Sequence, residues 1–188
     1  MGTDQSAICF ARNRPAWAGL LVVAILAAMS ATAARSDDNA GAWQFEGGEW
    51  NKSSGGLTGR ADGQSRGFAI ADDQPFAFSC RVEAVISPSK RVGASWSAGG
   101  VCVYRDLGSY WRLALVEDPE GKIRSAEMLL MNDGKGLGQK ELSVVEIDAP
   151  AVAWQWNSAY RLSVTLTHER VTGEVYNESG ARIWHAVF

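Results

Sequence analysis

The chain has 188 residues, 46% of them hydrophobic, with 18 Lys and Arg against 21 Asp and Glu and a formal net charge of −3. That length carries one domain with a proper core. Its Lys and Arg are scattered with no basic run, which excludes a nucleic-acid partner and an anionic membrane surface, since both need a concentrated positive patch.

The chain opens as an export signal. "MGTDQSAICFARNRP" supplies Arg12 and Arg14, "AWAGLLVVAILAAM" is an apolar run, and "SATAARSDD" places small residues where signal peptidase cuts. The run is shorter than the roughly 20 apolar residues of a comfortable membrane span, so residues 1–34 read as a signal peptide cleaved after Ala33 or Ala34; the alternative is an uncleaved anchor. Cys9 precedes the apolar run and so is not a lipidated cysteine. The expected location is secreted or periplasmic, with no membrane contact after cleavage. Losing Arg12, Arg14 and Asp4 leaves 16 basic and 20 acidic residues in a single domain over 35–188.

Period-2 patterning dominates from Trp43 onward, and no helical stripe appears. "AWQF", "GGEWN", "GGLTGR" and "RGFAIA" read as short strands cut by glycines. "FAFSCRVEAVI" alternates Phe76, Phe78, Val82 and Ile86 against Ser79, Arg81 and Glu83. "GGVCVYR" and "YWRLALV" flank the tight turn "DLGS", and "EDPEGK" marks another turn. "IRSAEMLLM" is the next strand and "NDGKGLGQK" a surface loop. "YRLSVTLTH" turns Tyr160, Leu162, Val164, Leu166 and His168 one way, and "VTGEVYN" and "ARIWHAVF" complete a meander. The pattern predicts an all-β antiparallel sandwich. The apolar run ending at Phe188 either pairs with an N-terminal strand or belongs to a longer protein with further domains.

Two cysteines follow the signal, Cys80 and Cys102, in an oxidising setting. They either bridge two strands or serve as small buried apolar residues. Parity places Cys80 with Phe76, Phe78 and Val82, and Cys102 with Tyr104, on opposite faces that need a bulge to be bridged.

The string "FAFSCRVEAVI … AGGVCVYRDLGSYWRLALVEDPEGKI … WNSAYRLSVTLTHERVTGEVYNESGARI" resembles the concanavalin A-like, laminin-G-like jelly rolls, and among them bacterial exported versions related to the 3-keto-disaccharide hydrolase group. The likeness runs from about Phe76 to Ile183, with weaker support from Trp43 to Ala71. It implies a jelly roll and a carbohydrate- or glycoconjugate-binding module. The alternatives are a glycoside-cleaving enzyme of the 3-keto-disaccharide hydrolase type and a structural domain without a small ligand. Laminin-G-like domains often hold calcium, for which Asp37, Asp38, Asp72, Asp73 and Asp133 are candidates in expected loops.

No catalytic set emerges. "VEIDAPA" matches only half of the Glu-Ile-Asp-x-x-Glu strand of laminarinase-like enzymes: Glu146, Ile147 and Asp148 are present, but Ala151 stands where the second glutamate belongs. Retaining cleavage needs two carboxylates about 5 Å apart. His168 and His185 lack ligand-spaced partners and read as structural. Aromatics carry the remaining signal, because sugar rings stack on such planes while nearby polar groups bind their hydroxyls. Trp111 shares parity with Leu113 and Leu115 and belongs to the core. Tyr104, Tyr110 and Arg112 fall on the opposite parity and are expected to line an open, concave sheet face. Arg105 and Asp106 stand at its turn, and Trp154 and Trp156 share another face. These seven are the expected ligand-binding residues.

Overall fold

A computed structural model describes residues 5–6, 20–21, 43–53, 56–61, 66–71, 75–76, 79–91, 95–148 and 154–188. The rest of the expected signal peptide, together with Asp37, Asp38, Asp72, Asp73 and Ala151, lies outside them. The described residues hold no helix and sixteen strands. The first seven are β1 (Gln5–Ser6), β2 (Leu20–Leu21), β3 (Trp43–Glu46), β4 (Glu49–Ser53), β5 (Gly56–Arg60), β6 (Arg66–Ala71) and β7 (Pro75–Phe76). Then come β8 (Cys80–Ile86), β9 (Ser97–Asp106), β10 (Ser109–Glu117), β11 (Arg124–Asn132) and β12 (Lys135–Gly138). The last four are β13 (Glu146–Ile147), β14 (Tyr160–Leu166), β15 (Val171–Tyr176) and β16 (Arg182–Val187).

Two antiparallel sheets carry the architecture, one ordered β12-β11-β10-β9 and the other β13-β16-β15-β14-β8. Their facing sides share one core. Val82, Ala84, Leu162, Val164, Val175, Trp184 and Ala186 come from the five-stranded sheet, and Val101, Val103, Leu113, Leu115, Ala126 and Met128 from the four-stranded one. Burial of each large apolar side chain is worth about 1.5–3 kcal/mol, so this shared layer holds the sheets face to face. Trp111 packs against it half-buried, its ring 6.1 Å from that of Phe188. Of the two readings of the last strand, pairing with an N-terminal strand is not found among the described residues: β16 runs between β13 and β15, and Phe188 exchanges backbone hydrogen bonds with Val171.

Three local readings change. "NDGKGLGQK" is not a plain loop, because β11 and β12 form a hairpin across it. Asp133 (φ 47°) and Gly134 (φ 79°) both take positive φ, as a two-residue turn between twisted strands requires. His168 does not continue inward: β14 ends at Leu166, the Thr167 N–H bonds the Arg170 carbonyl, and the imidazole is exposed. Cys80 is a free thiol in the core between the sheets, so the Cys80–Cys102 bridge is not made. Cys102 packs on the opposite side of β9, as parity requires.

Two features yield tests. A Cβ on Gly100 would stand 2.0 Å from the Leu113 carbonyl oxygen, whereas on Gly136 it would meet only Met131 and Leu129 side chains at 3.6 and 3.7 Å. Gly100→Ala should therefore cost about 3 kcal/mol or more in urea unfolding, and Gly136→Ala should stay within about 1 kcal/mol of the parent. Burial pushes the Cys80 thiol from its ordinary 9.0 to about 11, against a smaller opposing hydrogen bond with Leu166. The fold therefore favours the protonated thiol. Its contribution to stability is complete below about pH 9 and is lost as pH rises through 9 to 11. Iodoacetamide at pH 8 should label Cys80 only on unfolding, and fast labelling of the native chain would contradict its burial.

Candidate functional site

The expectation of an open face at Tyr104, Tyr110 and Arg112 is corrected. These residues are only 2%, 4% and 2% exposed; β6, paired with β3, covers Tyr104 and Tyr110 through Phe68 and Ile70. The Phe68 ring sits 5.4 Å from Tyr104 and 5.6 Å from Tyr110, with Ile70, Cys102 and Met131 completing a second core. The Tyr104 hydroxyl donates to Glu46 of β3 at 2.9 Å. Burial first, and then that bond, raise its pKa well above the usual tyrosine range. Arg112 donates to Glu127 at 2.6 Å. Alternation distinguishes the two faces of a strand but does not say whether the second face is wet. The available signal was the absence of alternation: "VCVY" and "LALV" are apolar at both parities, as in strands covered on both sides.

The remaining expected residues divide between two places. Arg105 and Asp106 are exposed at the β9–β10 turn, where Arg105 pairs with Asp106 at 3.0 Å and donates to the Ser109 hydroxyl at 2.8 Å. Asp106 also accepts the Gly108 N–H at 2.9 Å. Desolvation pushes the Asp106 carboxyl up, but these hydrogen bonds together hold it below its usual range. The pair closes a turn. Trp154 and Trp156 do come together, with ring centroids 5.0 Å apart, under the Arg124 guanidinium. The Trp154 indole is buried and donates to the Val116 carbonyl at 3.1 Å. Trp156 donates to the buried Glu117 carboxylate at 3.3 Å, which also pairs with Arg124 at 2.8 Å and Arg91 at 3.5 Å. This is one well-partnered plug at an end of the core.

The outer side of the five-stranded sheet has the character of a surface site. Its register gives three rows across the strands. Val85, Arg161, Tyr176 and Arg182 make one row, and Glu83, Ser163, Glu174 and His185 the next. Arg81, Thr165, Thr172, Val187 and Glu146 make the third. Arg81 bonds Glu83 at 2.8 Å, lies 3.9 Å from Glu174 and reaches the Ser163 hydroxyl at 3.4 Å. Arg161 pairs with Glu83 at 3.0 Å while its guanidinium covers the Tyr176 ring at 4.0 Å. The Tyr176 hydroxyl donates to Glu174 at 2.9 Å, and Arg182 stands 3.7 Å from the same carboxylate. Burial first, and then that hydrogen bond, raise the Tyr176 phenol above its usual range. Short side chains at Ser163, Thr165 and Thr172 lie between longer ones, and the buried Ser163 hydroxyl bonds Arg81 and Glu174. Arg81 and Arg182 remain about half exposed. Sequence reading missed this face, although its signal was legible in the polar parity of β8, β14 and β15.

His185, expected to be structural, is buried at the edge of this face with Nδ1 3.6 Å from Glu146. Glu146–Ile147 form a two-residue edge strand. Among the described residues no three His, Cys, Asp or Glu side chains form a group that could hold a metal ion. No model of a known family matches the chain, and comparisons with curated proteins and with solved structures also find no match.

Removing the carboxylate from the plug deprives two part-buried guanidinium groups, Arg91 and Arg124, of the anion they share. Glu117→Leu should destabilise the chain by about 3–5 kcal/mol in thermal or urea melts. Trp156→Phe, which loses one hydrogen bond to a charged group, should cost about 1.5–3 kcal/mol.

Proposed function

We propose that the chain is an exported carbohydrate- or glycoconjugate-binding module of concanavalin A-like, jelly-roll type, and that it binds on the outer face of the five-stranded sheet. The observation that carries this reading is the array of Arg81, Arg161 and Arg182 donors alternating with Glu83 and Glu174 acceptors around Ser163. A saccharide presents neighbouring hydroxyls that both donate and accept. Guanidinium–carboxylate pairs held by a sheet match that pattern without reorganising. Secretion or a periplasmic location, as the N-terminal segment implies, would bring such a face to extracellular glycans.

The reading moves the ligand from the covered Tyr104–Tyr110 face to the opposite side of the molecule. It also gives the Trp154–Trp156 pair a structural role. In affinity electrophoresis against a panel of polysaccharides, the parent chain should be retarded by at least one member. Arg161→Ala, losing a charged hydrogen bond worth about 1.5–3 kcal/mol, should weaken retention roughly tenfold to a hundredfold. Tyr110→Phe should leave retention unchanged. Loss of retention in Tyr110→Phe with a normal Arg161→Ala would return the site to the four-stranded sheet. Release of reducing ends from 3-keto-glycosides would replace the binding reading with the enzymatic one.

A further inference from the structure

We infer that the face takes a neutral polyhydroxylated chain and rejects acidic polysaccharides; this rests on the saccharide reading above. Its charges cancel over the face as a whole. Arg81, Arg161 and Arg182 stand against Glu83, Glu174 and Glu146, and each arginine lies within 4 Å of Glu83 or Glu174. Glu146 stands at the His185 edge. An acidic polysaccharide binds through uncompensated cations and so needs a net positive surface. Here every guanidinium already faces a carboxylate on the same sheet. A uronate or sulfate approaching Arg81 or Arg182 would also approach Glu83 or Glu174, and like charges brought together disfavour binding. A neutral hydroxyl meets no such penalty, because it can accept from the arginine and donate to the glutamate at once.

Two further features agree. The Tyr176 ring carries Arg161 on one side, which keeps the guanidinium extended across the sheet instead of free to follow an anion. Ser163 is fully buried beneath Arg81 and Glu174, so its hydroxyl helps to fix the positions of both charges. The array is held in place before any ligand arrives.

The test uses the full secreted chain in affinity gels that contain a neutral glucan or xylan, polygalacturonate, or heparin, at low and high salt. Retention by a neutral polysaccharide alone, little changed when the screening length shortens from about 30 Å to about 3 Å, supports the inference. Retention by polygalacturonate or heparin that collapses with salt overturns it while leaving saccharide binding intact. Retention by none of the polymers overturns the saccharide reading itself. The double variant Glu83→Gln/Glu174→Gln leaves three arginines against one glutamate. It should gain roughly tenfold or more in retention on polygalacturonate, provided its circular dichroism melt remains cooperative. Arg182→Gln, on the exposed rim, makes the face net negative; it should weaken neutral retention and gain none on the acidic polymers. A double variant that folds and still ignores polygalacturonate would overturn the charge-balance argument.

Discussion

The β9–β10 pair is buried on both sides, and the rest of the molecule is arranged by that burial. Val101, Val103, Leu113 and Leu115 face the five-stranded sheet, while on the other side Cys102, Tyr104 and Tyr110 pack with Phe68 and Ile70 of β6, and Arg112 is buried there as well. A strand with no wet side must satisfy all of its backbone polar groups within the sheet and leave no gaps in either core. That demand explains Gly100, where the β10 backbone leaves no room for a side chain. It also explains why a charged residue such as Arg112, buried there, has a carboxylate partner in Glu127 at hydrogen-bonding distance.

The four-stranded sheet is covered on both faces along β9 and β10. It provides a rigid backing for the five-stranded sheet, whose inner side alone is occupied by core. The outer side is then free to carry polar residues at fixed sheet spacing. Such an array on strands is held more rigidly than one on loops, because neighbouring residues are locked by the ladder and by the core beneath. The Glu117 plug adds to this by joining the end of β10 to Arg91, Arg124 and Trp156, which lie in separate stretches of the chain.

The all-β class and most of the longer strands were legible in period-2 patterning, because half-buried strands such as Tyr160–Leu166 record their two environments in alternate residues, whereas β1, β2 and β12 lie in segments read as signal peptide or loop. Parity also separated Cys80 from Cys102 correctly. What was not legible is long-range contact. Nothing local says that "RGFAIA" lies across Tyr104, or that Trp156 meets Glu117, since those pairings depend on how distant segments are brought together. The Asp-Gly pair at 133–134 carries the signature of a two-residue hairpin turn, but the glycines that follow it give the same stretch the composition of a loop.

The opening expectation weighted aromatic residues as the mark of a sugar site, and packing redirects that weight. Large rings repay burial more than any other side chain, so most of the rings expected to form the site are drawn into the cores and the end plug, while Phe45 and Trp96 stay exposed. Phe68, Tyr104, Tyr110, Trp154 and Trp184 are all buried there. Polar residues on an outer sheet face face a different demand. They remain in water unless another group positions them, and here Arg161 on Tyr176, Tyr176 on Glu174 and Arg81 on Glu83 supply that order. Surface ion pairs of this kind add little to stability when isolated, so the main consequence of ordering several on one face is a fixed pattern of donors and acceptors. In this chain it is therefore the arginine–glutamate lattice, and not the aromatic content, on which the proposed recognition rests.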